Sequence, residues 1–147
     1  MMQAPAGDER LILLVDANPN HNSIIRQSLQ THPNYRLVVL QDGETALNFL
    51  HQRGEYTTAE RPHLILLDLN LPGKDGREVL ADVKSAPQLR RIPIIVLTTS
   101  DAPEDIFRTY VEQGNCYIIK ATDNEKLSQI IKRIEAFWLE IVTLPQE

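Results

Sequence analysis

Leu64-Ile65-Leu66-Leu67-Asp68-Leu69-Asn70-Leu71-Pro72-Gly73-Lys74-Asp75-Gly76 is the stretch on which the fold turns. Four consecutive apolar residues, Leu64 to Leu67, deliver one acid to a Pro-Gly turn. A short apolar run closed in this way reads as a strand buried on both faces, as in parallel sheets. Such strands carry function at their carboxyl ends, in the crevice where the following loops diverge. Asp68 standing there is a metal ligand, a nucleophile or a helix cap.

Four other runs repeat the pattern. Leu11 to Val15 ends in Asp16, and Leu37 to Leu40 closes on Asp42-Gly43. Ile94 to Leu97 ends in Thr98-Thr99-Ser100, and Cys116 to Ile119 runs directly into Lys120. Between them lie helical stripes, beginning with Ile24, Ile25 and Leu29 after an Asn18-Pro19 start. Ala46, Leu47 and Leu50 mark the second helix, and Val79, Leu80 and Val83 the third. Ile106, Phe107, Tyr110 and Val111 are expected as the inner face of the fourth. The last helix is expected to run unbroken through Leu127, Ile130, Ile131, Ile134, Phe137, Trp138 and Ile141. Capping boxes are expected at Asp101 with Glu104 and at Thr122 with Glu125. Five strands alternating with five helices predict an α/β fold with a doubly wound, five-stranded parallel sheet of the flavodoxin-like type. Its expected order, 2-1-3-4-5, sets strands 1 and 3 side by side.

The chain has 147 residues and a net charge of −5, with Lys and Arg scattered rather than massed, which argues against nucleic-acid binding. No apolar run approaches the roughly 20 residues of a membrane span. Met1 to Gly7 lacks the basic and apolar regions of a signal peptide, and the single Cys116 suits a reducing compartment, so a cytoplasmic location is expected. Residues 1–9 read as a short flexible N-terminus, 10–136 as one folded domain, and 137–147 as a C-terminal extension. Trp138, Ile141, Val142 and Leu144 offer more apolar surface than a closing helix needs, which favours a homodimer contact.

The strand ends assemble chemistry. Strand 1 contributes Asp16, strand 3 Asp68, strand 4 Thr98 and strand 5 Lys120. Two neighbouring carboxylates need a cation, and hard oxygen ligands suit Mg²⁺. A hydroxyl and an ammonium opposite them suit the oxygens of an incoming phosphoryl group. The set is a minimal phosphoryl-transfer site with a carboxylate nucleophile. His21, His32, His51 and His63 share no metal-ligand spacing and are expected in loops or on the surface.

On Asp16, the Asp68-Leu69-Asn70-Leu71-Pro72 run with Asp75-Gly76, Thr98, and Lys120 three residues after Tyr117, the chain resembles response-regulator receiver domains over nearly its whole length. The resemblance implies that Asp68 accepts a phosphoryl group from a kinase histidine, and that it does no other enzymatic chemistry. It implies that Mg²⁺ is held by Asp16, Asp68 and the backbone carbonyl of Asn70. It also implies that Thr98 and Lys120 stabilise the phosphorylated state, with Thr98 and Tyr117 as a switch pair. Gly54–Pro62, Leu97-Thr98-Thr99-Ser100 and the ending Phe137–Pro145 resemble, more narrowly, the stand-alone regulators of cyanobacterial and bacterial phytochrome kinases. That likeness implies a phytochrome-type histidine kinase as partner. It also implies a homodimer through the last helix and tail, here Phe137, Trp138, Ile141 and Leu144. Kinase choice is expected from Asn22, Gln27 and Ala121, on the first helix and the loop after strand 5.

Two positions depart from the pattern. Ala17 stands where receivers carry a second acid that touches the metal, and a methyl group coordinates nothing, so weakened Mg²⁺ binding is expected. Ala121 follows Lys120 where receivers carry proline, so a trans peptide and a less rigidly aimed lysine are expected. Ala17 also supports an alternative, a pseudo-receiver that binds partners independently of phosphorylation. A flavin-binding electron carrier would need a hydroxyl- and glycine-rich loop after strand 1, and Asp16-Ala17-Asn18-Pro19-Asn20 is not one.

Overall fold

Every apolar run becomes a strand in the computed structural model, which describes residues 9–29, 34–139 and 142–145. The order is β1 (Arg10–Val15), α1 (Pro19–Leu29), β2 (Tyr35–Leu40), α2 (Gly43–Leu50) and, after a 3-10 turn, β3 (Leu64–Leu67). Then come α3 (Gly76–Ser85), β4 (Ile94–Thr98), α4 (Pro103–Val111), β5 (Cys116–Ile119) and α5 (Asn124–Ile134). The strands form one parallel sheet in the order β2-β1-β3-β4-β5, as expected. Val15 pairs with Leu67, so the next residue on each strand, Asp16 and Asp68, leaves the sheet beside the other.

Alternation along the strands divides the core between the two faces. Leu11, Leu13, Val15, Ile65, Leu67 and Val96 pack with α2 and α3. Ile12, Leu14, Leu64, Leu66, Ile95 and Leu97 pack with α1 and α5. The central strands β1, β3 and β4 are buried almost throughout, whereas the edge strands β2 and β5 are half-buried, with one side open to solvent. Each fully buried Leu or Ile contributes about 1.5–3 kcal/mol relative to exposure, so the strands that carry the acids are also the most firmly held.

Helix α4 corrects the expected inner face. Asp105 and Thr109 point inward, while Phe107, Tyr110 and Val111 are exposed, Phe107 by 72%. Arg77 on α3 fixes this rotation by donating from Nε to Asp105 Oδ1 (2.6 Å) and from its terminal nitrogen to Oδ2 (2.5 Å). A two-pronged guanidinium–carboxylate contact is among the strongest directional interactions in a protein, and here it overrides the apolar stripe. The caps also shift by one residue. Helix α4 has Ala102 at its N-cap position, with no side-chain cap, ahead of Pro103, and α5 is capped by Asp123, which accepts from the Lys126 amide (3.0 Å). The Asn18 start of α1 is as expected: its Oδ1 accepts from the amides of Asn20 (2.9 Å) and His21 (3.1 Å).

The C-terminal stripe does not continue as one helix. After Ile134 the backbone widens into a π turn over Glu135–Leu139, and the Tyr35 hydroxyl donates to the Leu139 carbonyl. The chain then returns and buries Leu144 in the α1–α5 side of the core, so Leu144 is a core residue rather than a dimer surface. Trp138 is half-buried against the same cluster, and Phe137 is 52% exposed. Ile141 lies outside the described residues, as does nearly all of the 1–9 segment. Among the described residues no helix is long and apolar enough to cross a membrane.

Candidate functional site

The carboxyl ends of β1, β3 and β4 and the residue after β5 bring Asp16, Asp68, Thr98 and Lys120 together. All four are buried. Lys120 Nζ lies 2.6 Å from Asp16 Oδ2 and 3.0 Å from Asp68 Oδ2. Thr98 Oγ1 donates to Asp68 Oδ1 (2.7 Å), which also accepts from the Asn70 amide (3.0 Å). The three hydrogen bonds to the Asp68 carboxylate all come from donors, Thr98, Asn70 and Lys120, an arrangement that aims it.

Gly76 explains why the loop after Asp68 can be so tight. Its amide donates to the Leu69 carbonyl (3.0 Å), and a Cβ at this position would lie 2.2 Å from the Asp68 carbonyl oxygen. Only a residue without a side chain lets α3 begin directly against the acceptor loop.

The ammonium has a third partner. His21 Nδ1 lies 2.9 Å from Lys120 Nζ, and the ring is 9% exposed. Burial, and then the Lys120 charge, push the His21 pKa below its ordinary 6.5, so the ring is neutral at pH 7 and Nδ1 accepts. The expectation of surface or loop histidines fails here; it holds at His63, which lies in the loop before β3 with its Nδ1 accepting from the Leu11 amide (3.1 Å), while His32 lies outside the described residues. The available signal was position: His21 lies in the first turn of the helix that follows Asp16. Asn22, expected as an exposed recognition residue, is buried, and its Nδ2 donates to the Asp16 carbonyl (2.8 Å).

On the other flank, Tyr117 is half-buried. Its hydroxyl donates to the Ser100 carbonyl (2.8 Å), two residues beyond Thr98. Ser100 Oγ donates to Asp105 Oδ2 (2.6 Å), the same carboxylate that Arg77 grips. Arg77, through that contact first, holds the Asp105 carboxyl below its ordinary 3.8. Asn70 Nδ2 reaches Thr98 Oγ1 at 3.4 Å. Thr98 and Tyr117 are thus joined through one short loop, which is in turn tied to α3 and α4. Burial pushes the Cys116 thiol up, which makes it a poor nucleophile.

Asp16, Ala17, Asn18, His21, Asp68, Asn70, Thr99 and Lys120 line an open cleft of about 300 Å³. Ala17 packs partly against the α2–α3 side of the core. The Asn18 side-chain oxygen is spent on the helix cap, so it does not replace the missing carboxylate. Among the described residues no cluster of three His, Cys, Asp or Glu side chains is set to hold a metal. Asp16, Asp68 and nearby carbonyl oxygen are hard donors of the kind Mg²⁺ takes with most of its waters retained. The set fits such a cation with one carboxylate fewer.

The sequence matches the family model described as response regulator receiver domain over residues 12–132. Response regulator Rcp1 of Synechocystis sp. is 45% identical over 98% of this chain and 99% of its own length. The probable methanogenesis regulatory protein FilR2 of Methanothrix harundinacea is 38% identical over 91% of this chain and 86% of its own. Among solved structures, the Mn²⁺-bound form of Rcp1 is similar with a TM-score of 0.91 and 46% identity, covering 93% of this chain and 99% of that one. The phosphorylated cyanobacterial phytochrome response regulator RcpA gives a TM-score of 0.92 and 48% identity, covering 94% and 99%.

Proposed function

The chain belongs to the response-regulator receiver family, and from that premise we propose that it relays a signal by taking a phosphoryl group onto Asp68. The observation that carries this reading is the convergence of Thr98 Oγ1 and Lys120 Nζ on the two oxygens of one buried carboxylate. An Asp68 oxygen attacks phosphorus as the nitrogen–phosphorus bond of a kinase phosphohistidine breaks, and the histidine leaves with the electron pair. The carboxylate becomes an acyl phosphate. Its new oxygens fall to the donors that Asp68 had held, the Thr98 hydroxyl and the Lys120 ammonium. Mg²⁺ bound by Asp16, Asp68 and the Asn70 carbonyl would neutralise phosphoryl charge. With Ala17 in place of a ligand, its affinity is reduced.

Pulling Thr98 toward a phosphoryl group shifts Ser100, which holds the Tyr117 hydroxyl and Asp105. Tyr117 and α4 are then the readout of a two-state loop. The phytochrome name of the similar regulator RcpA supports a phytochrome-type histidine kinase as partner. Homodimerisation is supported at a different place from Leu144. Ile118, Ile130, Arg133, Ile134, Phe137 and Trp138 line an apolar groove beside the edge strand β5. Phe137→Glu is therefore the informative variant, because truncating the tail would strip Leu144 from the core. Light scattering at micromolar concentration should give a dimer for the wild type and a monomer for the variant, and equal masses would refute this contact.

The relay reading is tested by incubation with acetyl phosphate across a Mg²⁺ series, followed by a phosphate-affinity gel. Wild type should shift and Asp68→Asn should not. A wild type that never shifts at any Mg²⁺ concentration would leave the pseudo-receiver reading in its place.

A further inference from the structure

An ammonium has three N–H bonds, and Lys120 spends each on a different element: Asp16 after β1, His21 on α1 and Asp68 after β3. Lysine is a flexible four-carbon stem with wide rotamer freedom, so its aim depends on what holds its head. The residue after it is Ala121, and among the described residues no peptide is cis, so the backbone adds no proline constraint. We propose that His21 is a positioning residue that fixes the Lys120 ammonium toward Asp68. This rests on the reading of Asp68 as the phosphoryl acceptor.

Phosphorylation removes the Asp68 carboxylate charge and rearranges its contact with Lys120. Asp16 and His21 are the anchors that stay. A neutral imidazole orients the ammonium without cancelling its charge, which a further carboxylate would do, and the phosphoryl oxygens need that charge. The turn that carries the ring is itself held, because the His21 amide is bound by Asn18 Oδ1 and Asn22 ties the same turn back to Asp16. The arrangement replaces a constraint along the chain with one across the site.

The test pairs His21→Leu, which keeps bulk and loses the acceptor, with His21→Gln, which keeps an acceptor oxygen. Two readouts are followed. The first is hydrogen exchange of the Lys120 side-chain ammonium by ¹⁵N NMR, its signal assigned by loss in Lys120→Arg. The second is the rate of phosphorylation by acetyl phosphate at saturating Mg²⁺. His21→Leu should speed ammonium exchange and slow phosphorylation, each by about tenfold, the scale of one lost hydrogen bond to a charged group. His21→Gln should stay within about threefold of wild type in both. A merely structural role would lower the melting temperature without separating Leu from Gln in either readout. Equal behaviour of the two variants, or no protected Lys120 signal in the wild type, overturns the proposal. If the wild type accepts no phosphoryl group, the acceptor reading fails, and the ammonium exchange still decides whether His21 holds Lys120.

Discussion

Asp68 has two unlike flanks. Toward β4 and β5 it meets Thr98 and Lys120 at hydrogen-bond distance, with Tyr117, Ser100, Asp105 and Arg77 linked behind them. Toward the loop after β1 it faces an open cleft where Ala17 offers a methyl group and Asp16 is already engaged by Lys120 and the Asn18 amide. In the proposed relay, the phosphoryl-stabilising flank is complete and the cation-holding flank is one ligand short. On that proposal the chemistry of the acceptor and its dependence on metal are separable, because the residues assigned to them reside on different strands.

The largest effect should come from the residue that spans both flanks. Lys120→Met leaves Asp16 and Asp68 buried without their shared cation, and should cost about 3–5 kcal/mol in urea unfolding at pH 7. A loss under about 1 kcal/mol would mean that the pairing is not a structural element at all. Next, Thr98→Val should slow phosphorylation about tenfold at every Mg²⁺ concentration, since one hydrogen bond to the phosphoryl group is lost. Ala17→Asp should do the opposite kind of thing. It should lower the Mg²⁺ concentration for half-maximal phosphorylation by about tenfold and leave the plateau rate nearly unchanged. If Thr98→Val moved the Mg²⁺ midpoint, or Ala17→Asp moved only the plateau, the separation of the two flanks would be wrong.

The smallest effect concerns the support behind Thr98. The Asp105 carboxyl is held below its unfolded value of 3.8, chiefly by Arg77. The unfolded chain therefore takes up that proton first as pH falls. The stability this pair adds is complete above about pH 3.8 and disappears as pH falls through the lower folded value. Asp105→Asn should be about 0.5–1 kcal/mol less stable than wild type at pH 7, since Arg77 is partly exposed, with the gap closing in acid. A gap that is constant from pH 7 to 3 would exclude Arg77–Asp105 as its source.

The sheet could be read from the chain because each central strand is a continuous apolar run ending in one polar residue. That same feature placed Asp16, Asp68 and Thr98 at the carboxyl edge, and the short run of the edge strand β5 did so for Lys120. What escaped was decided between elements. Phe107, Tyr110 and Val111 have helical spacing for an inner face, but Arg77, from another helix, turns Asp105 inward instead. Trp138 and Leu144 read as surplus apolar surface until the π turn brought the chain back over the core. His21 carried no spacing signal, since its partner lies 99 residues away.

The most direct test of the acceptor is to locate the phosphoryl group. After acetyl phosphate treatment with Mg²⁺, borohydride reduces an acyl phosphate to the alcohol, and tandem mass spectrometry identifies the altered residue. Conversion of Asp68 to homoserine in the wild type, absent without acetyl phosphate, is the expected result. Conversion of Asp16 or another carboxylate instead, or no conversion at any Mg²⁺ concentration, would contradict the assignment of Asp68.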